Sequence, residues 1–190
     1  MHLYHLDADA AAIGRALRAD AGQDPWSGGH ISPLNPAPVV VSNGRAGAAR
    51  YVKPRLWGVP PPPAGNSPIT SVRNLKSPFW IGTLRHPELR CLVPATSFSI
   101  WSSVSGQKRQ HKVRVDGPPI FAFAAIMRQT EDWPSFAILH GEPNRLLSHY
   151  QSAAMPIIIG AQDYEQWLSA EWREASALVQ PWPAQYMVVD

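Results

Sequence analysis

Cysteine is almost absent from this sequence of 190 residues: the only one is Cys91. A single thiol excludes an internal disulfide and a metal cluster held by several thiolates. The histidines also lack the paired spacing of a zinc motif such as HExxH. We therefore predict that the protein binds no metal and needs no cofactor. The histidines stand at positions 2, 5, 30, 86, 111, 140 and 149.

Long apolar runs are also missing. A membrane-spanning helix needs about 18 consecutive apolar residues, and no such stretch is present. The first ten residues, MHLYHLDADA, lack the basic and apolar regions of a secretory signal. We therefore expect a cytoplasmic protein with no membrane partner. Its 190 residues, 45% of them apolar, are enough to bury the core of one domain, which we place at 1–190.

Acidic residues are scarce in the middle of the chain. Residues 45–128 contain thirteen Lys and Arg but only Glu88 and Asp116, a formal charge of +11, whereas the whole chain carries +3. The segments 1–44 and 129–190 carry −2 and −6. A segregated basic block repels itself on folding, so a polyanionic partner such as nucleic acid explains it better than solubility does. The alternative is a solvated basic face of a strand.

Aromatic residues are interleaved with this basic block. Bases stack on exposed rings while cations bind the phosphates, and this combination is typical of proteins that bind single-stranded nucleic acid. For each ring the alternative is packing in the core. The rings are Trp57, Phe79, Trp80, Phe98 and Trp101.

The apolar pattern predicts an α+β fold. Residues 7–20 are rich in alanine and predict a short amphipathic helix, residues 162–168 and 171–179 predict two more, and residues 143–148 predict a helical turn. Short β-branched or aromatic segments predict one strongly bent antiparallel or mixed sheet, with the helices at its periphery. The predicted strands are 38–42, 51–57, 90–93, 98–102, 111–115, 120–127, 135–139, 155–159 and 186–189.

Two turn signals connect predicted strands. Ser105-Gly106 predicts one turn, and Asp116-Gly117 predicts a second that joins HKVRV to PIFAFAAIM as a β-hairpin. In HKVRV the apolar and basic residues alternate. This alternation places Lys112 and Arg114 on the face opposite the core.

Seven segments form an ordered series over about residues 35–183: LWGVPPP (56–62), VRNLKSPFW (72–80), RCLVPATSFSIW (90–101), PPIFAFAAIMR (118–128), AMPIII (154–159), DYEQWL (163–168) and LVQPWP (178–183). This series resembles the SRAP domain, the SOS response-associated peptidase family. Each motif alone is unspecific, but the order of the whole series is specific to the family.

The resemblance implies a compact β-rich domain that binds single-stranded DNA, or a junction of single and double strands, in a basic groove. It also implies chemistry on abasic sites. In the family, methionine removal exposes a cysteine at position 2, whose amine and thiolate capture the sugar aldehyde as a stable thiazolidine. An asparagine in an NAR motif, a glutamate in GFYEW and a histidine in HDRMP support this capture. Imine formation needs an amine and a proton donor near the carbonyl oxygen.

None of the four family groups is found at the matching position of this chain. Position 2 is His2, Met1 is the other possible match for the cysteine, and neither is a thiol. The asparagine position falls on Ser71, the glutamate position on Ile100 and the histidine position on Ser152. A bulky second residue should also leave Met1 in place, so that no residue-2 amine is released. We predict that the catalytic centre has been dismantled.

DNA binding is expected to survive this loss. The resemblance places Arg73 at the arginine of the NAR motif, which contacts phosphate in the family, and Lys76 near a second phosphate-binding arginine. Trp57 lies in the region that follows the DNA groove in the family. Less specific candidate contacts are Arg90, Arg55, Lys53, Lys112 and Arg114.

The sequence therefore favours an SRAP-like protein without catalysis that binds single-stranded or junction DNA. One alternative is an active SRAP-type enzyme that crosslinks abasic DNA or cleaves peptides with a relocated nucleophile, although no GxSxG motif supports a serine triad. Cys91 is a weak candidate for that nucleophile, because it lies in a predicted strand where a buried structural thiol is expected. A second alternative is a protein-interaction module with a protein partner in the old cleft.

Overall fold

The chain folds into strands and short helices. A computed structural model describes residues 3–104, 107–129 and 133–190. The predicted turn at Ser105-Gly106 lies outside these residues. Within them are thirteen strands and five α-helices. The strands are β1 (Tyr4–Leu6), β2 (Gly29–Ile31), β3 (Pro36–Val41), β4 (Tyr51–Trp57), β5 (Ser71–Val72), β6 (Arg90–Ala95), β7 (Ser97–Val104), β8 (Gln107–Val115), β9 (Phe121–Arg128), β10 (Ser135–Gly141), β11 (Met155–Pro156), β12 (Ile158–Ile159) and β13 (Met187–Val189). The helices are α1 (Ala10–Leu17), α2 (Pro78–Arg85), α3 (Arg145–His149), α4 (Tyr164–Ser169) and α5 (Trp172–Ala175).

Five of the strands close into a barrel. β4 pairs antiparallel with β3 and parallel with β10, and β9 pairs antiparallel with both β10 and β6. The pair Val40 and Leu92 joins β3 to β6 and completes the ring. The short strands β5, β11 and β12 extend the wall along β10 and β9. Closure leaves the barrel strands without open edges.

The other strands form a second sheet in the order β13-β8-β7-β1-β2. From His111 to Val115, β8 alternates between buried and exposed side chains, and Lys112 and Arg114 are exposed, as the sequence predicts. The inner face of this sheet packs on the barrel, where the ring centre of Tyr4 lies 5.3 Å from that of Trp57 and 5.8 Å from that of Phe123. The predicted α+β class, with antiparallel and mixed pairing, is confirmed.

The predicted hairpin at Asp116-Gly117 is wrong. β8 pairs with β7 and β13, whereas β9 pairs with β6, β10 and β12, so this turn carries the chain from one sheet to the other. The burial pattern gives the reason. The C-terminal half of β8 buries only one face of the strand. Residues 121–127 of β9 are all buried, so β9 must have other parts of the protein packed on both of its faces. Gly117 has φ 100°, which places the turn in a region that glycine adopts without strain.

α1 confirms the first predicted helix. Its N-cap is Asp9, whose side chain accepts a hydrogen bond from the N–H of Ala12 at 2.7 Å. Ile13 and Leu17 are fully buried, as their i, i+4 spacing predicts. The helices predicted over 162–168 and 171–179 are also present, as α4 and as α5 with a following 3-10 turn. Within the described residues, no helix is both long enough and apolar enough to cross a membrane.

α2 is a helix that the sequence analysis missed. Ser77 is its N-cap and accepts a hydrogen bond from the N–H of Phe79, and Pro78 occupies the first turn. A capping serine followed by proline is a recognised start signal, which the aromatic residues next to it obscured. Trp80 and Leu84 anchor the helix in the core.

α4 is fixed to the barrel through two side chains. Trp167 Nε1 donates a hydrogen bond to the carbonyl oxygen of Cys91 at 2.9 Å. The carboxylate of Glu165 accepts hydrogen bonds from the N–H of Gly47 at 2.7 Å and from Arg50 at 2.9 Å. The bond from Gly47 and then that from Arg50 lower the pKa of Glu165, because both favour the charged carboxylate.

We predict that Glu165→Gln lowers the free energy of unfolding at neutral pH by less than about 1 kcal/mol, because the pair is partly exposed to solvent. Since folding lowers the pKa of Glu165, its contribution is present above the unfolded glutamate value of about 4.3 and is lost as the pH falls below it. The difference between wild type and variant in urea denaturation should therefore shrink between neutral and acidic pH. Glu174→Gln on α5 is the matched control, and an equal pH-dependent difference in that variant would contradict the assignment.

Candidate nucleic-acid interface

The matching positions of the family's catalytic groups lie on three separate elements. Ser71 begins β5, Ile100 lies in β7 and Ser152 lies in the loop between α3 and β11, while His2 is outside the described residues. Ser71 and Ser152 are partly buried, and Ser152 Oγ donates a hydrogen bond to the carbonyl oxygen of Ala154 at 2.8 Å. Ser152 is thus engaged in shaping its own loop.

Ile100, which the resemblance places at the family's glutamate position, has a purely apolar side chain. Only 6% of this side chain is exposed, and it belongs to the main hydrophobic core. Across the strand pair it faces His111, whose ring packs edge-on against Tyr150 with 4.7 Å between ring centres. His111 Nε2 also shares a hydrogen bond of 2.7 Å with Ser102 Oγ. Ile100 has no group that can hold or release a proton.

Cys91 is not available as a substitute nucleophile. It is fully buried in β6, and burial raises the pKa of its thiol well above the usual range. The thiolate is the reactive form of cysteine, and burial disfavours that form here.

Two loops with family positions lie at the same end of the barrel. β5 pairs in parallel with the second half of β10, and β11 pairs antiparallel with the last two residues of β10. Arg73, which follows β5, and Ser152, which precedes β11, therefore both lie at the C-terminal end of β10. This arrangement brings Arg73, the predicted phosphate contact, and the Ser152 loop to one side of the protein.

Arg73 and Lys76 are accessible in the loop between β5 and α2. Both are exposed, and Asn74 shapes the loop by accepting a hydrogen bond from the N–H of Lys76 at 3.1 Å. Within residues 3–104, 107–129 and 133–190, neither cation forms an ion pair. Their charges are free to meet an external anion.

A cavity of about 480 Å³ lies beside the Ser152 loop. Its lining includes Trp101, which is 48% exposed, the exposed Lys108, and Gln151, which has φ 60°. An accessible ring next to a cation can stack a base and hold a phosphate. Sequence reasoning identified the Trp101 ring but missed Lys108. The run Lys108-Arg109 within the basic block was the signal for it. A larger cavity of about 750 Å³ lies between α1 and β12 and has a mostly apolar lining.

Two predicted DNA contacts are wrong because they are buried. The side chain of Arg90 is fully enclosed, its guanidinium donates a hydrogen bond to the carbonyl oxygen of Ala170, and its Cζ lies 5.5 Å from the ring centre of Trp167. Burial lowers the pKa of Arg90 to about 10, which still leaves it charged at neutral pH. Trp57 is also fully buried, and its Nε1 donates to the carbonyl oxygen of Thr70 at 3.0 Å. Neither side chain can reach a nucleotide.

Acidic residues from the two ends of the chain neutralise part of the basic block. Arg114 forms a bidentate pair with Asp190 at 2.9 and 3.0 Å, and Lys112 Nζ lies 4.0 Å from the carboxylate of Asp7. Glu165 similarly pairs with Arg50, which directly precedes β4. Lys112 and Arg114, predicted as secondary contacts, thus have internal partners.

The two remaining predicted contacts lie on β4. Lys53 is exposed, with Nζ 5.9 Å from the ring centre of Tyr51. Arg55 is partly buried and donates a hydrogen bond to the carbonyl oxygen of Pro54 at 2.8 Å. Both remain candidates, with Lys53 the more accessible.

Most of the rings near the basic residues serve the core. Trp80 and Phe98 are buried, and Phe79 is partly buried beneath Arg128, whose Cζ lies 4.1 Å from its ring centre. Of the five rings that the sequence analysis selected, Trp101 is the exposed one. Within the described residues, no group of three or more His, Cys, Asp or Glu is placed to hold a metal ion.

Comparison with known proteins agrees with this architecture. The model of the family described as SOS response associated peptidase (SRAP) matches residues 4–190. No curated protein matches the chain. Three solved structures have similar folds over all of this chain: one from Bacteroides thetaiotaomicron (19% identity, 90% of that chain, TM-score 0.79), one from Bordetella bronchiseptica (16%, 98%, 0.81) and a phage-related protein from Bordetella bronchiseptica (13%, 93%, 0.80).

We predict that Arg90→Ala lowers the free energy of unfolding by about 2 to 4 kcal/mol, because it leaves a cavity beside Trp167 and an unpaired carbonyl oxygen at Ala170. Arg73→Ala, at an exposed site, should change it by less than about 0.5 kcal/mol. Urea denaturation of both variants measures the difference. Equal effects of the two substitutions would show that Arg90 does not support the core.

Proposed function

The chain belongs to the SOS response-associated peptidase (SRAP) family, and we propose that it binds single-stranded or junction DNA without the covalent abasic-site chemistry of the family. The observation that carries the proposal is the position of Arg73 and the Ser152 loop at one end of β10, with Trp101 and Lys108 in the cavity beside that loop.

The charge distribution supports a specific binding surface. Several cations of the basic block form ion pairs with carboxylates of the protein or are buried. These cations contribute little to the positive potential at the protein surface. Exposed cations without an ion pair in the described residues are the ones left to follow a phosphate backbone. They are Arg45, Lys53, Arg73, Lys76, Arg85, Lys108 and Arg109.

The side chains around the old catalytic positions support non-covalent binding. Capture of an aldehyde requires a proton donor close to the carbonyl oxygen, and stable ring closure requires a thiolate. Ile100 provides no proton, Ser152 is bonded within its own loop, and Cys91 is buried. DNA held by phosphate contacts and stacking would therefore dissociate freely.

We predict salt-sensitive binding to single-stranded or junction oligonucleotides. With three to five phosphate contacts, the log-log slope of affinity against salt should be on the order of −2 to −4, at about −0.7 for each contact. A denaturing gel of the same samples with abasic DNA should show no heat- and SDS-resistant band. Absence of binding at low salt would favour a protein-interaction module, and a resistant band would contradict the loss of covalent chemistry.

We predict that Arg73→Ala weakens DNA binding far more than Arg173→Ala. Arg73 is exposed at the end of β10, whereas Arg173 lies on α5 among acidic residues. A charged hydrogen bond to phosphate contributes roughly 1.5 to 3 kcal/mol, a factor of about ten to a hundred in affinity. Fluorescence anisotropy with a labelled oligonucleotide measures both variants. Equal affinities would place the DNA-binding surface elsewhere on the protein.

A further inference from the structure

One face of α1 borders the cavity of about 750 Å³ that lies between this helix and β12. Ala12, Arg15 and Ala16 line the cavity, and their i, i+3, i+4 spacing places them on one face of the helix. The side chain of alanine ends at Cβ. Two alanines on this face therefore leave space that longer side chains would fill.

The walls opposite the helix are apolar. Phe121 of β9 and Ile158 and Ile159 of β12 line the cavity, and each is only 3% exposed. Trp182 contributes an indole ring to the same lining. The volume lies within the range of about 300 to 1,000 Å³ that is usual for small-molecule sites. A ligand in this cavity would bury an apolar body against β12.

The polar side chains of the lining favour an anionic ligand. Arg15 is exposed, and within the described residues it forms no ion pair. The Nε1 atom of Trp182 is enclosed, and its N–H has no hydrogen-bond partner in that part of the chain. Gln162 and Tyr164 also line the cavity, but both are neutral. Arg15 thus supplies the charge, and none of the described lining residues is acidic.

The carboxylates of the adjoining segment, residues 163–165, do not neutralise Arg15. Asp163 accepts a hydrogen bond from Gln162 Nε2 at 2.9 Å, and Glu165 pairs with Arg50. We propose that the cavity binds a monocarboxylic acid of the size of a medium-chain fatty acid, with its carboxylate on Arg15 and its apolar chain against β12.

The chemistry of the cavity distinguishes this ligand from other anions. A guanidinium binds a carboxylate through two parallel hydrogen bonds, so one arginine is enough for one carboxylate. A nucleotide would place a sugar and a base against walls that leave most of their polar groups without hydrogen bonds, which costs free energy. None of the residues proposed to contact DNA lines this cavity. The inference is therefore independent of the proposed function.

The test is isothermal titration calorimetry of the full chain with octanoate and with octanamide, in a buffer without other carboxylates. The two probes share length and shape but differ in charge. We expect octanoate to bind roughly tenfold more tightly or better, because its hydrogen bonds to Arg15 are charge-assisted. Equal affinities would identify a neutral apolar site, and absence of octanoate binding would leave the cavity without this ligand. Either result overturns the proposal.

A pair of arginine variants tests the contact with the carboxylate. Arg15→Gln should lower the affinity for octanoate roughly tenfold and leave that for octanamide unchanged. Arg18→Gln is the matched control, because it removes the same charge three residues away from an exposed side chain that does not line the cavity. Equal losses in the two variants would reveal a general effect of charge and contradict the proposal. Displacement of octanoate by an oligonucleotide would assign Arg15 to a nucleic-acid surface and also contradict it.

A pair of alanine variants tests the position of the chain. Ala12 is partly buried and lines the cavity, so Ala12→Phe places a ring in the space of the ligand and should abolish binding of both probes. Ala11 is exposed and does not line the cavity, so Ala11→Phe should bind like wild type. Unchanged binding in folded Ala12→Phe would place the ligand elsewhere. If Ala12→Phe does not fold, Arg15→Gln decides, because an exposed arginine can be replaced without repacking the core.

Discussion

The pairing of β9 with three neighbours is the constraint on which the rest of the structure depends. β9 pairs with β6 over residues 121–126, with β10 over residues 125–128 and with β12 at Ala122 and Phe123. Seven of its residues are buried in succession, so it fits only where both faces are covered. Its position closes the barrel and fixes β10, whose C-terminal end carries the loops with Arg73 and Ser152. The candidate interface is therefore a consequence of core packing.

Local pattern was enough to predict the elements but not their partners. Ile13 and Leu17 are spaced for a helix whatever surrounds them, and α1 has the predicted position. The Asp116-Gly117 turn has the composition of a hairpin turn. The strand before it buries one face and the strand after it buries both, and the two strands belong to different sheets. Residues 155–159 were predicted as one strand but pair as two, with β10 and then β9. Pairing depends on distant residues, which a local pattern does not contain.

The same limit applies to the candidate site. Arg90 looks like other cations of the basic block in the sequence, but its neighbours Trp167 and Ala170 are far along the chain and enclose it. Arg114 could be identified as exposed from strand alternation, whereas its partner Asp190 could not. The acidic ends of the sequence suggested only a charge imbalance. In the fold they are the counter-ions of part of the basic block, so the +11 overstates the charge offered to a partner.

A joint replacement of the family's polar groups at Ser71, Ile100 and Ser152, which the proposed function supposes, follows a physical rule. A buried carboxylate is tolerated when neighbours donate hydrogen bonds to it, and removing one member of such a group leaves the others unsatisfied at a cost of about 1 to 3 kcal/mol each. Replacing all the members together avoids that cost. With isoleucine in the core at position 100, the neighbouring Ser102 and His111 satisfy each other. This buried polar pair lies directly beside Ile100 on the same face of the β7–β8 pair.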